Sequence, residues 1–82
     1  MSTATNTYRH YVHDLGILVR DLAIAAKKMK DSALGGEDRT YATARLMALH
    51  EVVSLMQAQA AAFQLELKDI GLEGISPERD LV

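Results

Sequence analysis

The stretch Arg9-His10-Tyr11-Val12-His13-Asp14 gathers the residue types most able to do chemistry: two imidazoles, a carboxylate, a guanidinium and a phenol in one run. His10 and Asp14 are four residues apart, so on a helix their side chains share a face and can meet. His50-Glu51 is the second such group. Imidazole and carboxylate are the ligands of zinc and related metals, which makes His10, His13, Asp14 and His50 the candidate metal ligands. A carboxylate-bridged di-metal bundle, however, needs Glu and Glu-x-x-His groups pointing inward from several helices. The chain has no Glu-x-x-His, and His13 and Glu51 fall on the polar sides of their segments. In an antiparallel pair of helices His50 lies opposite Arg20-Asp21, roughly 10 Å along the axis from His13. These groups are not expected to form one metal site within a chain, and no metal or cofactor is expected.

Other chemistries find less support. Ser32, Ser54 and Ser76 sit in no Gly-x-Ser-x-Gly elbow. Gly35-Gly36 is not a phosphate loop, because no strand precedes it and no Gly-Lys-Ser/Thr follows. Glu37-Asp38 reads as the charge preferred at a helix start. The absence of cysteine excludes disulfides, thiolate metal sites and cysteine nucleophiles. The one basic run, Lys27-Lys28-Met29-Lys30, falls where cations complement the negative end of a helix dipole. With a net charge of −2, the chain is not expected to bind nucleic acid, which calls for a basic stripe. The segment from Leu67 to Leu81 is similar in outline to a helix-turn-helix, but too little chain follows Pro77 for a recognition helix. No catalytic residue is assigned, and an enzyme is not expected.

The elements that carry these residues follow from composition and periodicity. In 82 residues, 49% hydrophobic, alanine and leucine dominate, with one proline and no tryptophan. That balance predicts an all-α chain. A first helix is expected over about 6–33, opened by Thr5, Asn6 or Thr7 as cap. Tyr8, Tyr11, Leu15, Leu18, Leu22, Ala25 and Met29 recur at 3-4 spacing as a heptad seam, widened by Val12, Val19, Ala26 and Ala33. The turn spans 34–36, with Gly35 as a left-handed C-cap. A second helix runs over about 37–64, or on to 70 with Gly71 as its cap. Its seam is Ala42, Leu46, Leu49, Val53, Met56, Ala60, Phe63, Leu67 and Ile70. Met47 and Met56 read as adaptable filler. Ile70, Leu72, Ile75 and Leu81 make the C-terminal tail too apolar for a disordered segment. Ser76-Pro77-Glu78 starts a short helix over 77–82. The tail, net −3 over 66–82, is expected to fold back over the end of the hairpin, the whole chain forming a single helical domain.

A turn this short lays the helices antiparallel, with residue numbers adding to about 71 lying level, so that Leu22 faces Leu49 and Leu15 faces Met56. One seam is thereby satisfied. Each helix carries a second apolar surface: Gly16, Ile17, Ala23 and Ile24 on the first, and Tyr41, Ala48, Val52, Leu55 and Ala62 on the second. A rod of two helices has too much surface for its volume. The expected solution is a homodimer, two hairpins forming a four-helix bundle through Gly16, Ile17, Ala23, Ile24, Ala48, Val52 and Leu55. Gly16, costly in mid-helix, suggests that another helix backbone approaches it closely. No run approaches the ~18 apolar residues of a membrane span, and Met1–Asn6 lacks the features of a signal peptide. The expectation is a cytoplasmic interaction or regulatory protein that binds an unidentified protein partner. The rival is a ligand- or metal-binding bundle using its histidines and carboxylates.

Overall fold

The computed structural model describes residues 3–82 and, over these, is all-helical: α1 (Thr3–Ser32), α2 (Gly36–Ala62), a 3₁₀ turn (Leu67–Ile70) and α3 (Pro77–Asp80). α1 and α2 pack side by side as the expected hairpin, drawn out to 53 × 21 × 16 Å. Neither contains proline, and Ala and Leu, the strongest helix formers, recur through both.

The helix boundaries depart from expectation at two places, the start of α1 and the turn. α1 begins before Thr5, Asn6 and Thr7, so these residues lie within its opening turns rather than capping it. Gly35 is not a left-handed cap of α1: at φ 132° and ψ −170° it is the N-cap of α2, and Gly36 (φ 64°) follows it. Of the two ends expected for α2, the nearer one is found: the helix stops at Ala62, close to 64, and does not run on to Ile70. There Gln64 turns left-handed (φ 58°), Leu65 N–H donates to Ala60 C=O at 2.8 Å, and Gln64 N–H donates to Ala61 C=O at 3.0 Å. This is a Schellman ending with glutamine in the position glycine usually takes. Gly71 caps the 3₁₀ turn instead.

The tail does not fold over the end of the hairpin. It runs back along the groove between α1 and α2 toward the Gly35 turn. Arg20 Nη1 donates to Glu73 C=O at 3.0 Å, Gln57 Nε2 donates to Ile75 C=O at 2.8 Å, and Lys27 Nζ reaches Val82 C=O. Four tail side chains, Ile70, Leu72, Ile75 and Leu81, are buried with Ala23 and Ala26 of α1 and Ala42, Leu46, Val53 and Ala60 of α2. Leu72 and Leu81 are among the largest side chains fully removed from water. The tail is thus a third layer of the core.

Gly16 explains how the tail gets in. It is buried, and the Ile70 carbonyl occupies the space a β-carbon would need. Facing it, Gly71 is left-handed (φ 73°) and lies against the backbone of His13 and Ile17. Close approach at Gly16 is real, but the approaching backbone is the chain's own tail and not a helix of a second copy.

α3 carries its own clamp. Ser76 makes no side-chain cap to it; its N–H donates instead to Asp80 Oδ2 at 2.8 Å. Arg79 grips the same carboxylate at 2.7 Å and the Gly74 carbonyl at 3.1 Å.

Candidate functional site

Among the described residues the imidazoles and carboxylates do not converge. Asp14 is met by its neighbour His13 (Nδ1 to Oδ1, 3.5 Å) and not by His10, and both partners are exposed. No group of three or more His, Asp or Glu side chains among the described residues could hold a metal ion. His10 and His13 line a cleft with Tyr8, Arg9, Val12, Leu65, Lys68, Asp69 and Ile70, about 530 Å³ in volume, where the first turns of α1 meet the tail. Lys68 at this cleft has its pKa raised by the hydrogen bond and charge of Glu66, 3.2 Å away, so it stays cationic. His50 is half-buried in a different cleft, with Lys30, Thr43, Met47, Glu51 and Val82. The four candidate ligands therefore fall into two separate places.

The larger feature is apolar. On α2 the expected seam holds through its helical length: Ala42, Leu46, Val53 and Ala60 are buried, and Leu49 and Met56 pack against the core. On α1 it is turned, so that of the expected stripe only Val19 and Ala26, on the flank that widens it, face inward. Tyr8, Tyr11, Leu15, Leu18, Leu22, Ala25 and Met29, the expected seam, are all exposed, Tyr8 at 70% and Leu18 at 60%. The residues that meet α2 and the tail are Gly16, Val19, Ala23 and Ala26, turned about 100° from that stripe. The physical reason is fit: small side chains let α1, α2 and the tail come close enough to bury Leu72 and Val53 between them. The long leucines of α1 would hold them apart.

Two of the expected interface residues are corrected by the same geometry, because Gly16 and Ala23 are covered by the chain itself. Ile17 and Ile24 are about two-fifths exposed and border the tail, Ile17 beside Gly71 and Ile24 beside Gly74, Ile75 and Arg79. On α2, Ala48, Val52 and Leu55 are exposed as expected, as are Tyr41 and Ala62.

A hairpin has two long grooves. The tail fills one, on the side of Gly16 and Arg20 of α1 and Gln57 of α2. The helical turn angle places the α1 stripe and, on α2, Leu49, Val52 and Met56 on the other side. That second groove is open, long and apolar. A soluble monomer seldom presents a contiguous apolar patch beyond a few hundred Å². The α1 stripe alone spans from Tyr8 to Met29, about 30 Å along the helix. The signal that could have located it is the run of small residues, Gly16, Ala23 and Ala26, marking the face that α1 turns inward. No helix among the described residues is long and apolar enough to cross a membrane. Set against protein-family models, curated proteins and solved structures, the chain matches none.

Proposed function

We propose that the protein is a small cytoplasmic interaction protein without enzymatic activity, working as a homodimeric four-helix bundle that offers its outer surface to a protein partner. One observation carries this reading: the open groove bordered by Tyr11, Leu15, Leu18, Leu22 and Met29, a heptad stripe with nothing of its own chain over it. Heptad stripes associate by inserting each side chain between those of a facing helix. A second hairpin laid on this groove completes the bundle. Nucleic acid and membrane are not partners in this reading, since a chain with a net charge of −2 gains no electrostatic attraction from phosphate backbones or anionic headgroups. Sedimentation equilibrium from 1 to 100 µM tests it. A dimer across that range is the expected result, and a folded monomer at the top concentration overturns it.

A second reading rests on the cleft at the start of α1. Arg9, His10, His13 and Lys68 border it against the single carboxylate of Asp69, and Tyr8, Val12, Leu65 and Ile70 back it, an arrangement suited to a small organic anion with an apolar body. Thermal melting with a panel of aromatic carboxylates tests this reading. A binder raises the melting point by mass action, and no shift at ~100-fold over a micromolar Kd removes it.

A further inference from the structure

We infer that the α1 stripe closes on the same stripe of a second copy running antiparallel, in a register that sets Asp14 against Lys28 of the partner subunit. This rests on the reading that a second hairpin covers the open groove, and it adds the orientation and the residues that fix it. Along α1 the stripe has two flanks. Val12, Val19 and Ala26 lie on the flank toward α2. Asp14, Asp21 and Lys28 recur at seven-residue spacing on the other, facing solvent. In paired helices these flanking positions decide orientation.

Two packings bury the groove with two-fold symmetry. If both turns lie at the same end, α1 rests on the partner's α2. Lys28 then lies within two residues of the level of Arg45 of the partner subunit, while Asp14 and Asp21 meet no lysine or arginine. If the turns lie at opposite ends, α1 rests on the partner's α1 and residue numbers adding to about 40 lie level. Tyr11 then meets the partner's Met29, Leu15 the partner's Ala25, and Leu18 the partner's Leu22. The stripe is used from end to end, and the long Leu15 is matched by a short alanine. In antiparallel pairs like flanks face each other, so Asp14 of each copy meets Lys28 of the partner subunit, twice by symmetry. The same register lays the partner's Val52 over Leu49 on α2. One contact opposes it: Asp21 lies at the two-fold axis beside the partner's Asp21, on an exposed flank where solvent screens the repulsion. Charge and shape both favour the antiparallel packing.

The chain has no cysteine, so Asp21→Cys gives each copy a single thiol. Under mild oxidation that variant is expected to form a covalent dimer, because the two thiols meet at the axis. In the same-end packing each would sit far from the other. Charge reversal gives the second readout by sedimentation. Asp14→Lys and Lys28→Asp each turn two attractions into two repulsions and are expected to weaken the dimer about five- to thirty-fold. The two together are expected to restore it to within about two-fold. A wild-type dimer whose Asp21→Cys variant fails to cross-link, or whose double reversal is no tighter than the single ones, overturns the antiparallel register and leaves the dimer standing. A wild-type chain that is monomeric at 100 µM overturns both.

Discussion

Gly16→Ala sets two principles against each other, and the structure decides the sign. Replacing a mid-helix glycine by alanine on an open face stabilises a helix by up to ~1 kcal/mol. At Gly16 the added methyl would fall on the Ile70 carbonyl, 2.6 Å from its carbon and 3.2 Å from Gly71 Cα. Backbone cannot rotate aside as a side-chain end can. Overpacking of this kind costs about 1–3 kcal/mol, and the relief is for the tail to lift off near Ile70 and Leu72, both buried. A methyl set directly on a backbone carbonyl belongs to the upper part of that range, about 2–3 kcal/mol, so less the propensity gain the net effect is a destabilisation of about 1–2 kcal/mol. In a chain of this size that lowers the melting point by roughly 4–15 °C. The assay is thermal melting by circular dichroism at one fixed protein concentration, beside hydrogen exchange of the Leu72 amide, which donates to Leu67 C=O at 3.0 Å. A lower melting point and faster Leu72 exchange are expected. A rise of a few degrees with Leu72 protection intact would show propensity acting alone, and the close docking of the tail on Gly16 would be refuted.

Leu18→Glu leaves the hairpin's own core untouched, since Leu18 is 60% exposed. It removes about 1–2 kcal/mol of burial from each side of a symmetric dimer, so the dissociation constant is expected to rise at least 30-fold by sedimentation with helicity unchanged. Gly71→Ala meets both a left-handed backbone (φ 73°) and the His13–Ile17 backbone, and is expected to free the tail from α1 as Gly16→Ala does, read as faster tryptic cleavage after Lys68. The Asp80 carboxyl is held down to about 2, against the ordinary 3.8 of a free aspartate, by the hydrogen bond from Arg79 and then by that from the Ser76 backbone. The clamp on α3 is therefore fully present above pH 3.8 and lost as pH falls through 2. Amide exchange at Ser76 should quicken over that window, and Asp80→Asn should abolish the dependence.

The two helices and the turn between them are legible in the alternation of apolar residues, and so is the inward face of α2, where the heptad seam alternates alanine with Leu46 and Val53 and so is both apolar and narrow enough to fit. The inward face of α1 is not. Periodicity weighs Leu15, Leu18 and Leu22 above Ala23 and Ala26 because they are larger and more hydrophobic, whereas three layers meeting at one line favour the side chains that take least room. The missing β-carbon at Gly16 is legible as close approach. What approaches is decided 48 residues along the chain, where the Schellman turn at Gln64 sends the tail back into the groove. A glutamine in the left-handed position leaves no strong mark in a sequence, while Ile70, Leu72 and Ile75 do show that the tail must pack somewhere. The histidines are legible as candidates, but whether His10 meets Asp14 depends on rotamers that spacing alone does not set.

The corrected face of α1 strengthens the case for association instead of weakening it. Had the leucine stripe met α2, the surface left over would have been Ile17 and Ile24, which the tail's edge already half covers. With the alanine face turned inward, the hairpin closes one groove with its own last residues and leaves its most apolar stripe on the other. The tail shows what such a groove requires: its occupant buries four large aliphatic side chains and makes polar contacts from Arg20, Gln57 and Lys27 to its backbone carbonyls. Leu15, Leu18, Leu22 and Met29 along the open groove carry no side-chain donor, so an extended segment laid on them would leave carbonyls unpaired, at a cost of about 1–3 kcal/mol for each one buried. A helix satisfies its own carbonyls. The open groove therefore favours a helical occupant, and in the packing proposed above α1 of a second copy supplies a stripe that matches it in length and shape and pairs Asp14 with Lys28 at both ends.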